Sequence, residues 1–389
     1  MSVCAVISEF NPFHNGHKYL IDAIKANGAD AVVCVMSGNA VQRGELAMCD
    51  KYYRAEAALK CGVDLVIELP FPWCASGAES FARCGVYVAS EVADKICFGS
   101  ECGDVSLLKR AADTCLEESF KEEYKNRLQG DAGAAEVYFE LLEELSGIKL
   151  SSNDILGTEY LKAARLMGLE VDFQTFTRVA SSYSDVNLRS GNIQSATAVR
   201  RKAYELGVDA VSEYLPIESF NLLKNADIKG EIAVASRIER AILLFFRTAN
   251  PKSLESIADL DRGLAERICR MAREGGETPL IERLRTKRYT DARLRRAILF
   301  CMTGVTREDI AALPEYVNLL AANETGRGIL SKNKKTMSVS VLAKAADTPK
   351  TTGAERQREL SGRLDSIYTL SLDTPADAYG MMKKSPIII

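Results

Sequence analysis

The sequence predicts an α/β fold in which a parallel sheet is followed by a mostly helical C-terminal domain. Two observations predict it. In the first half of the chain, short apolar runs alternate with helical stretches, a pattern typical of parallel strands joined by right-handed crossovers. In the second half, apolar residues recur at helical spacing, for example over residues 238–246 and 264–272. A chain of 389 residues is long enough for two to three domains.

Five apolar runs are predicted as strands, at residues 3–7, 31–36, 65–69, 95–98 and 171–176. Helices are predicted between them, beginning near Gly16 or His17 and at Ser195, and spanning about 51–61, 78–92 and 158–167. Residues 103–150 form an acidic helical insertion. We therefore divide the chain into a nucleotide-binding domain at 1–215 and a helical domain at 216–389.

Composition favours a globular cytoplasmic protein. No apolar run approaches the 18 residues that suggest a membrane span, and the short run at 3–7 lacks the features of a secretory signal. Of the eleven cysteines, nine lie between Cys4 and Cys115, mostly within apolar runs. These are predicted to be reduced core thiols, because cytosolic proteins seldom keep disulfides.

The two halves of the chain carry opposite charge. Residues 216–389 hold 29 Lys and Arg against 22 Asp and Glu, a net charge of +7, whereas residues 1–215 have a net charge of −10. A basic domain suggests a polyanionic partner, since Lys and Arg that neutralise phosphates give sequence-independent affinity. An ordinary charged surface is the alternative.

The only two histidines of the chain, His14 and His17, stand in one H-N-G-H motif between the first strand and the first helix. A helix start offers unpaired N–H groups and the positive end of its dipole to a phosphate. Gly16 lets the phosphate approach the backbone, and Pro12 stiffens the turn. Two imidazoles there can stabilise charge as an α–β phosphate bond breaks. The alternatives are a metal pair and two ordinary polar loop residues, but the chain has no C-x-x-C to complete a zinc site.

Three further sites in the sequence are suited to binding anions. Gly99 follows the fourth strand and Arg178 follows the fifth, so both lie at the edge where open α/β sheets bind ligands. Ser195, Thr197 and Arg200 open another helix and share one face of it. Each has a structural alternative: a common turn glycine, a surface salt bridge and a capped helix.

A basic stretch at residues 283–296 has seven positive residues against one Asp. Basic groups can hold a phosphate backbone while an aromatic ring stacks on an unpaired base. The predicted RNA-binding residues are Arg285, Lys287, Arg288, Tyr289, Arg293, Arg295 and Arg296, with a second cluster at Lys332, Lys334 and Lys335. The alternative is a helix with a solvated basic face.

Several motifs together resemble the tRNA(Met) cytidine acetate ligases, a family of the HxGH nucleotidylyltransferase superfamily with a Rossmann-like core. They are E-F-N-P-F-H-N-G-H at 9–17, M-S-G-N at 36–39, Q-R-G-E at 42–45, D-L-V-I-E-L-P at 64–70, F-G-S-E at 98–101, S-A-T-A-V-R at 195–200 and T-K-R-Y-T at 286–290. The similarity extends from residue 1 to about 345. One departure is Gln194, where the family's I-S-S-x-T pattern more often has serine.

The resemblance implies an ATP-dependent reaction in two steps. Acetate attacks the α-phosphate of ATP to give acetyl-adenylate, and the acetyl group then passes to the wobble cytidine of elongator tRNA(Met), giving N4-acetylcytidine. Mg²⁺ is expected with the ATP. The resemblance assigns catalysis to His14 and His17, and phosphate binding to Ser195, Thr197 and Arg200. The other implied ATP contacts are Ile7, Ser8, Glu9, Phe10, Asn11, Pro12, Phe13, His14, Asn15, Gly16, His17, Lys18, Tyr19, Leu20, Gly99, Asn153 and Arg178.

Two alternative functions stay open at this point. The chain could transfer AMP to a phosphorylated small molecule, although such an enzyme would need no RNA-binding domain. It could also be a non-enzymatic RNA-binding protein that senses ATP, although the intact histidine pair argues against that.

Overall fold

The computed structural model describes residues 1–128, 133–178, 192–286 and 288–389. Its strands are β1 Val3–Ser8, β2 Ala31–Ser37, β3 Leu65–Leu69, β4 Lys95–Ser100, β5 Asp172–Thr177, β6 Tyr316–Ala322, β7 Ser340–Leu342 and β8 Ile387–Ile388. The helices of the first half are α1 Asn15–Ala26, α2 Lys51–Lys60, α3 Ala78–Ser90, α4 Val105–Leu116, α5 Glu118–Arg127, α6 Ala134–Ser146, α7 Ser152–Met167 and α8 Ala196–Leu206. Those of the second half are α9 Ile217–Ile228, α10 Glu239–Thr248, α11 Arg262–Arg273, α12 Leu280–Leu284, α13 Asp291–Thr303, α14 Arg307–Ala311, α15 Glu324–Asn333, α16 Thr352–Thr369 and α17 Gly380–Lys383.

One mixed sheet organises these elements, with strand order β5-β4-β1-β2-β3-β6-β7. The strands from β5 to β3 all run parallel, and every residue of β2 and β3 is buried. Continuous apolar runs are expected where helices cover both faces of a parallel sheet. The predicted α/β fold and its first five strands are confirmed, each within one or two residues.

The second half contributes more than helices. Its strand β6 adds antiparallel to β3, and β7 and β8 both pair with β6. The sheet is therefore mixed, and the expectation of a purely parallel sheet was incomplete. Buried residues of α10–α13 also join the same hydrophobic core as β2 and β3. The domain boundary near residue 215 stays a prediction, since the two halves share this core.

The acidic insertion has a small core of its own. Ala111, Cys115, Phe120, Leu141 and Ile148 pack together between α4, α5 and α6, and α4 packs on α7 beside the sheet. All eleven cysteines are free thiols, and only Cys102 is exposed. In the part of the chain that the structure describes, no helix combines the length and apolarity that a bilayer crossing would need.

Candidate active site

The two histidines lie at the junction of β1 and α1. His14 is the N-cap of α1, and its Nδ1 accepts a hydrogen bond from the Gly16 N–H at 3.0 Å. The His14 backbone N–H in turn donates to His17 Nδ1 at 3.2 Å. The two rings stack with their centroids 3.7 Å apart. Since both Nδ1 atoms accept hydrogen bonds, a neutral ring at either position carries its proton on Nε2.

Both imidazoles are neutral near pH 7. Burial lowers the pKa of His14 to about 3, and the charges of Arg178 and Arg200 act in the same direction. Burial also lowers the pKa of His17 well below its usual range, with smaller contributions from His14 and Arg178. Neutral rings with Nε2–H donors can hydrogen-bond a phosphate, whereas their Nδ1 atoms are already occupied. The pair is therefore suited to donating hydrogen bonds and not to accepting a proton.

A cavity of about 560 Å³ opens beside this pair at the carboxyl ends of β1 and β4. Open α/β sheets bind their ligands at this edge. The predicted ATP contacts that line it are Ile7, Ser8, Glu9, Phe10, Asn11, His14, His17, Leu20, Gly99, Asn153, Arg178, Ser195, Thr197 and Arg200. The structure places six others outside its lining, namely Pro12, Phe13, Asn15, Gly16, Lys18 and Tyr19.

Three of those six residues point into the core or toward solvent. The Phe13 ring is fully buried beneath His17, with ring centroids 5.6 Å apart. Lys18 forms an ion pair with Asp22 on the exposed face of α1. Tyr19 is also exposed. Along residues 7–20, some side chains face the cavity and others face the core or solvent. Only part of the predicted run therefore lines the cavity.

The start of α8 forms one wall of the cavity. Ser195 is the N-cap, as predicted, and its Oγ accepts from the Ala198 N–H at 3.2 Å. Arg200 donates from Nη1 to the Asn11 carbonyl at 2.9 Å and from Nη2 to Glu45 Oε2 at 3.0 Å. This arginine therefore connects α8 to the turn that carries the histidines.

Arg178 and Asn153 lie at the other wall. Arg178 Nη1 donates to Asn153 Oδ1 at 3.3 Å, and its Nε lies 3.6 Å from Glu101 Oε1. Gly99 faces the same arginine, since a Cβ at that position would come within 3.1 Å of Arg178 Cγ. Arg178 was predicted either to face the ligand edge or to form a surface salt bridge, and it does both: it lines the cavity and lies near Glu101.

A model of the HIGH nucleotidyl transferase family matches residues 1–381. The chain is 35% identical to the tRNA(Met) cytidine acetate ligase of Caldanaerobacter subterraneus subsp. tengcongensis, over 95% of this chain and 96% of that relative. It is equally similar, at 35% identity, to the ligase of the same name from Acetivibrio thermocellus, over 97% of this chain and 96% of that relative. The crystal structure of Thermotoga maritima TmcAL bound with alpha-thio ATP has 29% sequence identity and a TM-score of 0.90, covering 100% of this chain and 99% of that one.

The chain belongs to the tRNA(Met) cytidine acetate ligase family. The resemblance drawn from the sequence motifs is confirmed, and so is the nucleotidylyltransferase fold. The HxGH motif that names the superfamily is the pair His14 and His17, which the structure places at the cavity.

In this ligase-family chain, the basic stretch lies close to the cavity. Loop residue Glu45 accepts from Arg200 at one oxygen and lies 3.1 Å from Arg295 Nη1 of α13 at the other. A Cβ at Gly44, where φ is +71°, would meet the backbone of Arg296. The loop after β2 therefore packs directly on α13. This proximity is what a protein would need if the basic stretch delivered a substrate to the cavity.

Several of the predicted RNA-binding side chains have protein partners. Arg285 pairs with Asp291, Arg293 with Asp261 and Arg296 with Asp259. Tyr289 is 9% exposed, and Arg288 and Arg293 lie over its ring at 5.6 and 5.1 Å. The ring is part of the hydrophobic core, so little of it is exposed, and its stacking on a base stays a prediction. Lys287 lies outside the described residues.

The second basic cluster lies away from the cavity. Lys332, Lys334 and Lys335 are exposed at the end of α15. Lys332 lines a small cleft with Val3 and Asp94, which mark the amino ends of β1 and β4. The structure therefore places this cluster at the opposite edge of the sheet from the histidines, and does not bring it together with the basic stretch of α13.

Sequence reasoning missed Arg54. It is 1% exposed, and it donates to the carbonyls of Glu9 at 2.6 Å, Ser37 at 3.1 Å, Cys49 at 3.0 Å and Gly38. One guanidinium thus holds the ends of β1 and β2 and the loop beyond them. An arginine among the alanines of α2 was the only signal in the sequence, and it could not reveal these partners.

Proposed function

We propose that this protein is an ATP-dependent ligase that joins acetate to the wobble cytidine of elongator tRNA(Met), giving N4-acetylcytidine. The observation that carries the proposal is the pair of neutral imidazoles at the start of α1, lining one cavity with Arg178 and Arg200. Two hydrogen-bond donors and two guanidinium groups suit a triphosphate. The structurally similar TmcAL is bound with an ATP analogue.

In the proposed first step, the two histidines stabilise charge at the reacting phosphate. An acetate oxygen attacks the α-phosphorus of ATP, a P–O bond forms, and the bond to the β-phosphate breaks as pyrophosphate leaves. Negative charge grows on the oxygens around the reacting phosphorus. Donors that are already oriented at a buried site stabilise that charge without the cost of reorientation. His14 and His17 supply such donors, since the bonds to their Nδ1 atoms fix the ring orientations.

Mg²⁺ would enter with the nucleotide. The described residues contain no cluster of three or more metal-ligating side chains. A Mg²⁺ ion that bridges phosphates keeps several waters and needs only one or two carboxylates. At this cavity Glu9 and Glu45 are the carboxylates within reach among the described lining residues. The ion would neutralise phosphate charge.

The tRNA would approach over α13. Arg288 is exposed and has no carboxylate partner among the described residues, which leaves its charge free for a phosphate. Arg295 lies between that surface and Glu45 at the cavity. The contact links the proposed RNA-binding stretch to the loop after β2. It supports an arrangement in which the acceptor base reaches the carboxyl edge of the sheet.

One incubation tests the proposal directly. Purified protein is mixed with ATP, labelled acetate and bulk tRNA, and the RNA is then digested to nucleosides. We expect label in N4-acetylcytidine and acetate-dependent exchange of pyrophosphate into ATP. Exchange that needs a phosphorylated small molecule in place of acetate would instead identify a nucleotidylyltransferase. ATP binding without exchange would identify a non-enzymatic sensor.

A further inference from the structure

We propose that Phe139 of the acidic insertion is the ring on which the wobble cytosine of the tRNA stacks, an inference that rests on the proposed function. Phe139 lies on α6 and lines the cavity together with Ser152, Ile155 and Leu156 of α7. The insertion carries none of the sequence motifs that mark the family. Through this residue it nevertheless forms part of the active site.

The ring of Phe139 is available to a ligand. Five phenylalanine and tyrosine side chains are found on the described lining of the cavity, and four of them belong to hydrophobic cores. These four are Phe10, Phe81, Phe98 and Tyr160, each at most 7% exposed. Phe139 is half-buried and belongs to none of the hydrophobic clusters that the described residues form. A ring at a cavity wall outside the core can offer a face to a planar ligand.

The neighbours of Phe139 hold α6 in place. Leu141 is fully buried in the core of the insertion. The Tyr138 ring packs on Phe120 with centroids 5.1 Å apart, and its hydroxyl accepts a hydrogen bond from Lys162 Nζ of α7 at 3.0 Å. Successive residues of a helix point about 100° apart, so the contacts that fix Tyr138 leave Phe139 directed to the cavity. The ring is therefore preorganised, which lowers the entropy cost of stacking.

The cavity extends over the edge of the sheet from one face to the other. In β1, Val6 packs with α1, whereas its neighbour Ala5 packs in the core that holds α3 and α7. The histidines His14 and His17 stand at the start of α1. Phe139 lies with α7, on the opposite face. Phosphates held by the histidines and a base stacked on Phe139 are therefore on different sides of the sheet.

This separation matches the geometry of the reaction. In an in-line displacement at phosphorus, the attacking and leaving oxygens lie on opposite sides. With the leaving pyrophosphate at α1 and α8, acetate attacks from the side of α3 and α7, and the acetyl group of acetyl-adenylate faces that side. There the cytidine N4 attacks the acetyl carbon, a C–N bond forms, the C–O bond breaks as AMP leaves with the electron pair, and one N4 proton passes to solvent. The cytosine ring thus lies on the same side as Phe139, and unpaired RNA bases commonly stack on aromatic side chains.

A fluorescent base tests the contact directly. An anticodon stem-loop that carries pyrrolocytosine at the wobble position is titrated with ATP-loaded protein. Stacking on a ring quenches this base, so we expect quenching by the wild type and by Phe139→Tyr. Quenching should be lost with Phe139→Leu, which keeps an apolar side chain without a ring. Equal quenching by Phe139→Leu, or none by the wild type, would overturn the inference.

Kinetics separate stacking from a structural role. The kcat/KM of acetyl transfer to tRNA should fall by about 5–150-fold in Phe139→Leu, the range expected for loss of one stacked base. Phe139→Tyr should restore it. Acetate-dependent pyrophosphate exchange should stay within about twofold, because the ring contacts the acceptor and not ATP. The matched control is Phe245→Leu on α10, which replaces a half-buried phenylalanine outside the described lining and should leave both rates unchanged.

The adenine of ATP is the other base that could reach this ring. A raised KM for ATP in pyrophosphate exchange by Phe139→Leu would place the ring at adenine and overturn the inference. Normal transfer by that variant, or an equal loss of exchange and transfer, would also overturn it. The proposed function fails on a different result, the absence of N4-acetylcytidine from the wild-type reaction.

Discussion

His14 both caps α1 and presents a donor to the cavity, and the two roles can be separated. Asparagine is a good N-cap, so His14→Asn should keep the hydrogen bond from Gly16 but lose the imidazole Nε2–H. We expect acetate-dependent pyrophosphate exchange to fall by about 10²–10³-fold, with tRNA affinity nearly unchanged. His17→Ala should have a similar effect on exchange. Normal exchange in both variants would remove the catalytic role.

The lowered pKa of His14 also predicts how stability depends on pH. The unfolded chain takes up a proton near pH 6.5, whereas the folded chain does so only at about pH 3. Stability is therefore fully present above pH 6.5 and is lost as the pH falls. Between pH 6.5 and 5 this group alone should cost the fold about 2 kcal/mol. Urea unfolding at both pH values should show a smaller loss for His14→Asn, and an equal loss would contradict the assignment.

Replacement of Arg54 is predicted to lower the stability of the fold. Its replacement by alanine leaves buried carbonyls of Glu9, Ser37 and Cys49 without their donor. Each such loss costs about 1–3 kcal/mol, so we expect at least about 3 kcal/mol in the free energy of unfolding. Arg54→Lys is the matched comparison, since a single ammonium cannot reach all these carbonyls. If Arg54→Lys were as stable as the wild type, the several donors of the guanidinium group would not be needed.

At the level of elements, the sequence predicted which turns carry the site residues better than it predicted which strands pair. The carboxyl ends of β1, β4 and β5 gather the histidines, Gly99 and Arg178 at one cavity because parallel strands end at one edge. Strand β6 was missed, since a short apolar run cannot be assigned to strand or helix from periodicity alone. Its antiparallel pairing with β3 depends on residues about 250 positions apart in sequence. Local patterns do not contain that information.

The basic stretch shows the same limit. Its charge was visible in the sequence, but most of the carboxylates that pair with it, such as Asp259 and Glu45, lie elsewhere in the chain. The structure leaves Arg288 as the more available charge. We expect Arg288→Ala to weaken tRNA binding and to reduce the slope of log K against log salt by about one. Arg110→Ala, on the exposed face of α4, is the control, and an equal effect of both changes would place the RNA elsewhere.

At the level of the whole molecule, the loop after β2 is a further contact between the two halves, which also share the sheet and the core. Glu45 contacts Arg200 of α8 and Arg295 of α13, which lie on either side of the predicted domain boundary. One arginine from each half thus contacts the same glutamate at the rim of the cavity. The cluster at Lys332 does not share this position, because it lies at the opposite sheet edge. Sequence alone could not distinguish the two clusters, since both are simply basic.

We propose that the neutral pair His14 and His17 holds the triphosphate with its α-phosphorus open to acetate. A crystal structure of this protein with a non-hydrolysable ATP analogue tests it most directly. We predict phosphate oxygens within hydrogen-bond distance of Nε2 of both rings, and Arg178 and Arg200 on either side. Phosphates bound far from this turn, or a transition metal held between the two imidazoles, would contradict the account.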